Sequence, residues 1–350
     1  MPVGDRRYDI DWLRVIAIGL LLLYHTAIGF QFWGVMIGFI VTDKPWEGLW
    51  IPMAMLNVWR IPLLFFVSGM GVCFSIQNRN WLQLLKERAS RILVPFVFGI
   101  FVIVPIHMYL RQFYYQQPMK YYADSAHLWF LGNIFVYILI FLPVFFYLKK
   151  NKNGKIVTNI KKWLSTPLGL LPVITAFIME VILVNPVTYE LYAMTWHGFF
   201  LGLIAFFFGF CFVLSGAVFW NMLVKWRWIF LTIAALLYTW RLLQMPAKVP
   251  EIRLVLESNF WIFSFFAFGY KYLNHPGKAL RYLSEAAYPI YIIHMIFLFL
   301  GSILIFPLNM QVQWKFVLVL VFTFTGCLCF YEFVIRRARL IRPLFGLKMN

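Results

Sequence analysis

Long apolar runs, each ended by a cluster of lysine and arginine or by proline, glycine or asparagine, leave this chain very few folds. About 20 consecutive apolar residues suffice for a helix to cross a bilayer. Cutting at the charge clusters yields such stretches at 10–34, 49–77, 91–110, 127–148, 167–184, 197–220, 228–245, 255–273, 282–306 and 313–335. With 63% of its 350 residues hydrophobic and only 13% charged, the chain cannot hide its apolar surface in one soluble core. The sequence therefore predicts an all-α, polytopic integral membrane protein of about ten transmembrane helices, forming a single domain over 1–350.

The formal charge of +18 would suit a nucleic-acid partner, but the basic residues are sorted by loop and not gathered on one face. With the N-terminus inside, Arg6 and Arg7, the group Arg79, Lys86, Arg88 and Arg91, the lysine-rich stretch 149–162, and the arginines after Tyr331 all fall on the inner side. That bias predicts cytoplasmic termini, an even number of crossings, the lipid bilayer as a partner and no nucleic acid. The stretch 149–166 reads as a solvated or headgroup-binding connector, and 81–91 as a short amphipathic helix along the inner surface. Arg6-Arg7 before an apolar run also fits a cleaved leader, but charge interrupts that run and the chain beyond it stays apolar. Cys73, Cys211, Cys327 and Cys329 lie in apolar runs with no metal-like spacing, so neither a structural disulfide nor a metal site is expected.

The first span carries Asp11, Arg14 and His25. Eleven helical residues rise about 16 Å and return to nearly the same face, so Arg14 and His25 share a side. A charge within the hydrocarbon costs at least roughly 2.5–3.5 kcal/mol, which favours a helix lining a polar passage. An interfacial Arg14 paired with Asp11, and a His25 bonded to a neighbouring carbonyl, fit the same residues. By depth, His294 in the ninth span shares a level with His25, while His107, His127 and His197 fall at outer ends. Histidine exchanges protons near neutral pH, so that level suits acid–base work; His107 and His197 read instead as interface anchors. At the inner mouth Arg88 and Arg91, with Arg14, suit a polyphosphate, which arginine grips bidentately. Arg60 is a buried cation open to a substrate role or an ion pair with Glu180. Ser68, beside Gly69 and Gly71, permits close helix approach or the passage of a narrow ligand.

Five motifs in order, Arg14…His25, Phe65-Phe66-Val67-Ser68-Gly69, Arg88-Ala89-Ser90-Arg91, His127-Leu128-Trp129-Phe130-Leu131 and Tyr288-Pro289-Ile290-Tyr291-Ile292-Ile293-His294, resemble the acyltransferase-3 family of integral membrane O-acyltransferases. Asp9…Arg14, His127–Leu131 and Tyr331–Arg336 are most similar to its glucan biosynthesis protein C branch. The resemblance implies a multi-pass protein of a bacterial inner (plasma) membrane. Its implied reaction moves an acyl group, succinyl before acetyl, from cytoplasmic acyl-CoA to a hydroxyl of a periplasmic or cell-surface glycan such as a glucan. No tightly bound cofactor is implied; acyl-CoA is the donor substrate. Many relatives continue the fourth-span motif with glutamate, whereas Gly132-Asn133 follows here, leaving any carboxylate partner undefined. Carried onto this chain, Arg14, Arg88 and Arg91 would face the CoA phosphates. His25 would act as general base or transient acyl acceptor, His294 and His127 would orient it or relay protons, and Arg60 would hold a succinyl carboxylate. The rival class is a transporter or flippase for an anionic lipid or glycan, against which stands the absence of an inverted repeat. Either class is compatible with a homo-oligomer.

Overall fold

A computed structural model describes residues 6–245 and 247–349. Among them there is no strand, and ten helices are long and apolar enough to cross a membrane. The chain runs through α1 (Tyr8–Ile28), α2 (Trp50–Ser75), α3 (Trp81–Arg88), α4 (Val94–Phe98), α5 (Val104–Tyr114), α6 (Trp129–Lys150) and α7 (Lys155–Trp163). It continues through α8 (Leu171–Val184), α9 (Trp196–Leu214), α10 (Ala217–Gln244), α11 (Glu251–Tyr272), α12 (Lys278–Ile305) and α13 (Val312–Phe330).

Two boundaries differ from the sequence reading. The amphipathic segment 81–91 is not a separate helix: Arg88 keeps helical angles (φ −70°, ψ −37°), and α3, α4 and α5 form one helical stretch, Trp81–Tyr114, joined by π-turns at Ala89–Leu93 and Gly99–Ile103. Each π-turn is followed at once by a proline, Pro95 or Pro105. A proline inside a helix lacks an N–H and its ring crowds the carbonyl four residues back, and widening the preceding turn relieves that crowding. The carbonyl of Phe101, which Pro105 cannot serve, instead accepts the Tyr121 hydroxyl at 2.8 Å. The second difference lies between the sixth and seventh spans. The turn falls at Ser215–Gly216, where Gly216 takes φ +67°, so Lys225 and Arg227 lie within α10 and not in a loop. Glycine alone adopts that conformation without steric cost.

The chain forms two compact units. One comprises residues 6–17, 57–87 and 133–280, the other 18–56, 88–132 and 281–349. In the first, α2 and α9 meet backbone to backbone. A Cβ on Gly69 would strike the carbonyl of Phe206, and one on Gly209 the carbonyl of Phe66. Beside this contact, Phe66 stacks on Phe212 (5.4 Å, 7°), and Phe145 stacks on Phe210 (3.8 Å, 3°). Between lipid-solvated helices no hydrophobic drive exists, so this close approach and aromatic packing supply the association. In the second unit Phe30 lies edge-on to Phe306 and Phe316. Tyr115 holds the loop after α1 by donating to the Phe39 carbonyl (3.2 Å) and accepting from the Val41 N–H (3.1 Å).

Ser68 spends its hydroxyl on the Leu64 carbonyl at 2.8 Å, one turn back in its own helix. The packing role therefore belongs to Gly69. Gly69→Ala is expected to destabilise the protein by about 1–3 kcal/mol through overpacking, whereas Ser68→Ala costs less than about 1 kcal/mol. Thermal unfolding in detergent distinguishes them; equal stabilities would contradict the backbone contact.

Candidate active site

Four histidines meet in the second unit. His25, from α1, places Nδ1 2.8 Å from Nε2 of His294, from α12. His294 is fully buried and its Nδ1 lies 2.7 Å from the Tyr291 carbonyl. A carbonyl only accepts, so that Nδ1 carries a proton. Nε2 of neutral His294 is then an acceptor, Nδ1 of His25 is the donor, and the lone pair of neutral His25 lies on Nε2. His294 thus occupies towards His25 the place a carboxylate takes beside a catalytic imidazole: it fixes the tautomer and accepts the charge that protonation creates.

His127 stands edge-on to His294 at 5.0 Å, and its Nε2 donates to the Ile292 carbonyl at 3.0 Å. Its Nδ1 is buried without a hydrogen-bond partner. The Tyr291 hydroxyl donates to the His127 carbonyl at 2.5 Å, tying α12 to the start of the fourth span. His107 packs edge-on to His127 at 5.4 Å and is 2% exposed, so it is a member of the cluster and not the interface anchor expected from its position. Its place at the outer end of a span gave no hint of this, because only the fold brings the span's inner face against His127.

The α12 motif forms a column. Tyr288 stacks on Tyr291 (6.5 Å, 27°), Tyr291 on His294 (6.1 Å, 26°), and His294 on His25 (5.1 Å, 20°). Three-residue spacing on one helix produces the alignment, and the six residues from Tyr288 to His294 rise about 9 Å. At the Tyr288 end lies the π-turn that follows Arg88, since a Cβ on Gly346 would meet both the Tyr288 ring and, at 2.9 Å, the Arg91 carbonyl. Arg91 sits in that turn. The C-terminal turn Arg342–Phe345 closes on this end: Phe345 packs edge-on to Phe98 at 5.4 Å, Arg342 reaches Glu285 at 3.4 Å, and a Cβ on Gly346 would strike the Tyr288 ring. The described residues hold no group of three or more His, Cys, Asp or Glu able to bind a metal.

The remaining candidates lie in the first unit. Arg14 pairs with Asp11 at 3.6 Å, and Asp11 also receives Arg6 at 3.0 Å, the interfacial pairing being one of the two readings kept open above. Its guanidinium passes 3.9 Å from where a Gly71 Cβ would stand. Arg60 is 2% exposed within α2. Glu180 is held by His197, whose Nδ1 lies 2.9 and 3.1 Å from the two carboxylate oxygens and whose Nε2 donates to the Tyr189 carbonyl at 2.9 Å. That bonding buries His197, which is therefore not an interface anchor either.

Sequence reasoning also overlooked a buried pair. Arg241 lies in the last turn of α10, 3% exposed and 2.8 Å from Glu257 on α11, with Glu190 at 3.5 Å. Removing one partner strands the other in an apolar core. Glu257→Leu is expected to cost about 3–5 kcal/mol, and Arg241→Met/Glu257→Leu to recover much of it. Chemical or thermal denaturation of the three variants reads this; a double variant no better than the single would show the pair is not coupled.

A sequence model described as an acyltransferase domain matches residues 7–332, nearly the whole chain. No curated protein sequence matches it. The match takes in the opening helix with Arg14 and His25, the two π-turns and the α12 column. This chain belongs to the acyltransferase-3 family and is a multi-pass membrane acyltransferase.

Proposed function

We propose that the protein transfers an acyl group, succinyl in preference to acetyl, from acyl-CoA supplied at the cytoplasmic side to a hydroxyl of a periplasmic glycan such as a glucan in a bacterial inner membrane. The observation that supports this reading is the column from Arg88 to His25. One end offers guanidinium groups suited to the phosphates of CoA, the other an imidazole whose lone pair is directed to Nε2 by His294. Succinyl and glucan rest on the likeness of Asp9…Arg14, His127–Leu131 and Tyr331–Arg336 to the glucan biosynthesis protein C branch.

In the proposed reaction His25 Nε2 takes the proton of the acceptor hydroxyl as that oxygen attacks the thioester carbonyl. Collapse of the tetrahedral intermediate forms the ester and breaks the C–S bond. The departing thiolate takes the proton back from His25, so charge balances over the cycle. While the imidazole is protonated, His25 Nδ1–H leans on His294 Nε2, which can accept that proton and spread the charge over two rings. A general base contributes about 10²–10⁴-fold to such a step.

His25→Ala in purified protein is expected to lower acyl transfer about 10²–10⁴-fold, and the double variant His25→Ala/His294→Ala to be little worse than His25→Ala alone, because the two rings act as a unit. Release of CoA thiol measures the rate; wild-type turnover by His25→Ala would end the assignment. For the donor, Arg88→Met/Arg91→Met is expected to raise the KM for acyl-CoA about tenfold or more, each lost charge-assisted bond contributing about 1.5–3 kcal/mol. An unchanged KM would remove both arginines from the donor site, and wild-type protein that neither turns over acyl-CoA nor is stabilised by CoA would favour transport of an anionic lipid or glycan.

A further inference from the structure

The first unit carries a recess that the acyl-transfer reading does not use. It lies where α10 begins and α11 ends, has a volume of about 510 Å³, and is lined by Asn221, Val224, Tyr270, Lys271, Asn274 and His275. That volume falls within the roughly 300–1,000 Å³ of small-molecule sites. Its polar groups are an ammonium, an imidazole, a phenol and two carboxamides, with no carboxylate among them.

The two chain segments that line the recess carry basic residues and no carboxylate. No Asp or Glu occurs between Ala217 and Pro250, or between Ser258 and Ser284, whereas Lys225, Arg227, Lys271 and Lys278 do. Arg7 stands behind the wall, its guanidinium 3.9 Å from the Trp220 ring centroid and 4.6 Å from that of Tyr270. The carboxylate accompanying it, Asp9, is fully buried and already engaged by Arg7 at 2.8 and 2.6 Å. Sorting of basic residues by membrane side accounts for lysines in this region. It does not account for the rigidity of the recess. The Asn274 carboxamide is fixed by the Tyr8 N–H, which donates to Oδ1 at 3.1 Å, so the amide NH₂ remains as its donor. Tyr270 is held by stacking on Trp220 at 5.4 Å.

We propose that this recess binds a phosphate group through Lys271, His275, Asn221 and Asn274. Several nitrogen donors around one opening match the three or more accepting oxygens of a phosphate better than the two of a carboxylate. The phosphate belongs either to an anionic phospholipid headgroup or to a soluble phosphomonoester. The two share the same recognition chemistry.

The test uses full-length protein in two arms: thermal stabilisation in detergent by adenosine monophosphate, and retention of phosphatidylglycerol over phosphatidylcholine measured by native mass spectrometry. Binding to the folded state raises apparent stability. In at least one arm, wild-type binding is expected to fall tenfold or more in Lys271→Ala/His275→Ala and in Asn221→Asp, and to persist in Arg88→Met/Arg91→Met. These three pocket residues are exposed, so their replacement leaves packing intact, and melting without ligand verifies it. A response to the nucleotide alone identifies a soluble ligand, and one to the lipid alone a headgroup. Pocket variants that bind both probes as the wild type does overturn the proposal, as does binding lost only in the Arg88/Arg91 variant, which assigns the phosphate to the donor end of the column.

Discussion

Every polar group in this protein that lies at membrane depth must find its partner in the protein, because hydrocarbon offers none. That constraint is visible at several of the polar groups that the helices carry. The carbonyl released by Pro105 takes the Tyr121 hydroxyl. Ser68, Ser264, Ser302 and Thr323 each return their hydroxyl to the carbonyl four residues back. Lys315, 4% exposed, donates to the carbonyl of Phe306. Glu180 is held by His197, and Glu257 by Arg241. Apart from these pairings, the histidine cluster is a place where imidazole nitrogens are set against one another.

The cluster also shows how a backbone carbonyl can set the tautomer of an imidazole without a carboxylate. Tyr291 carbonyl, His294 and His25 form a relay in which each hydrogen bond dictates the next, ending with a lone pair on a defined nitrogen. A neutral orienting partner suits a low-dielectric site: a buried carboxylate would itself need a cation, whereas a second imidazole bears charge only when the first has taken a proton.

Helix geometry accounts for how the Arg88 end is built. The π-turn at Ala89–Leu93 displaces the register of the helix where Arg91 emerges, and Pro95 makes that displacement obligatory. The C-terminal turn then packs on the same segment through Phe345 and Phe98, with Gly346 in a left-handed conformation against the Tyr288 ring. A side chain at Gly346 would be strained in its backbone and would also meet that ring.

Much of the fold was legible in the residues themselves. Hydropathy period and length give ten spans because burying an apolar helix in lipid is a local decision, made about 20 residues at a time. The spacing of Tyr288, Tyr291 and His294 likewise implies a shared face, since helical geometry alone aligns them. What failed was what depends on non-local contact. A hydropathy window continues the sixth span to residue 220 and leaves Arg241 without its partner, since neither the turn at Gly216 nor Glu257 announces itself there. Nothing in the sequence around His107 indicates its ring would lie against His127, and nothing around Gly69 says that the carbonyl opposite belongs to Phe206. The sequence by itself determined how many helices cross and which residues carry charge. Only the tertiary structure decided which imidazole meets which, because a hydrogen bond depends on fractions of an ångström between elements far apart in the chain, whereas partition into lipid depends on composition.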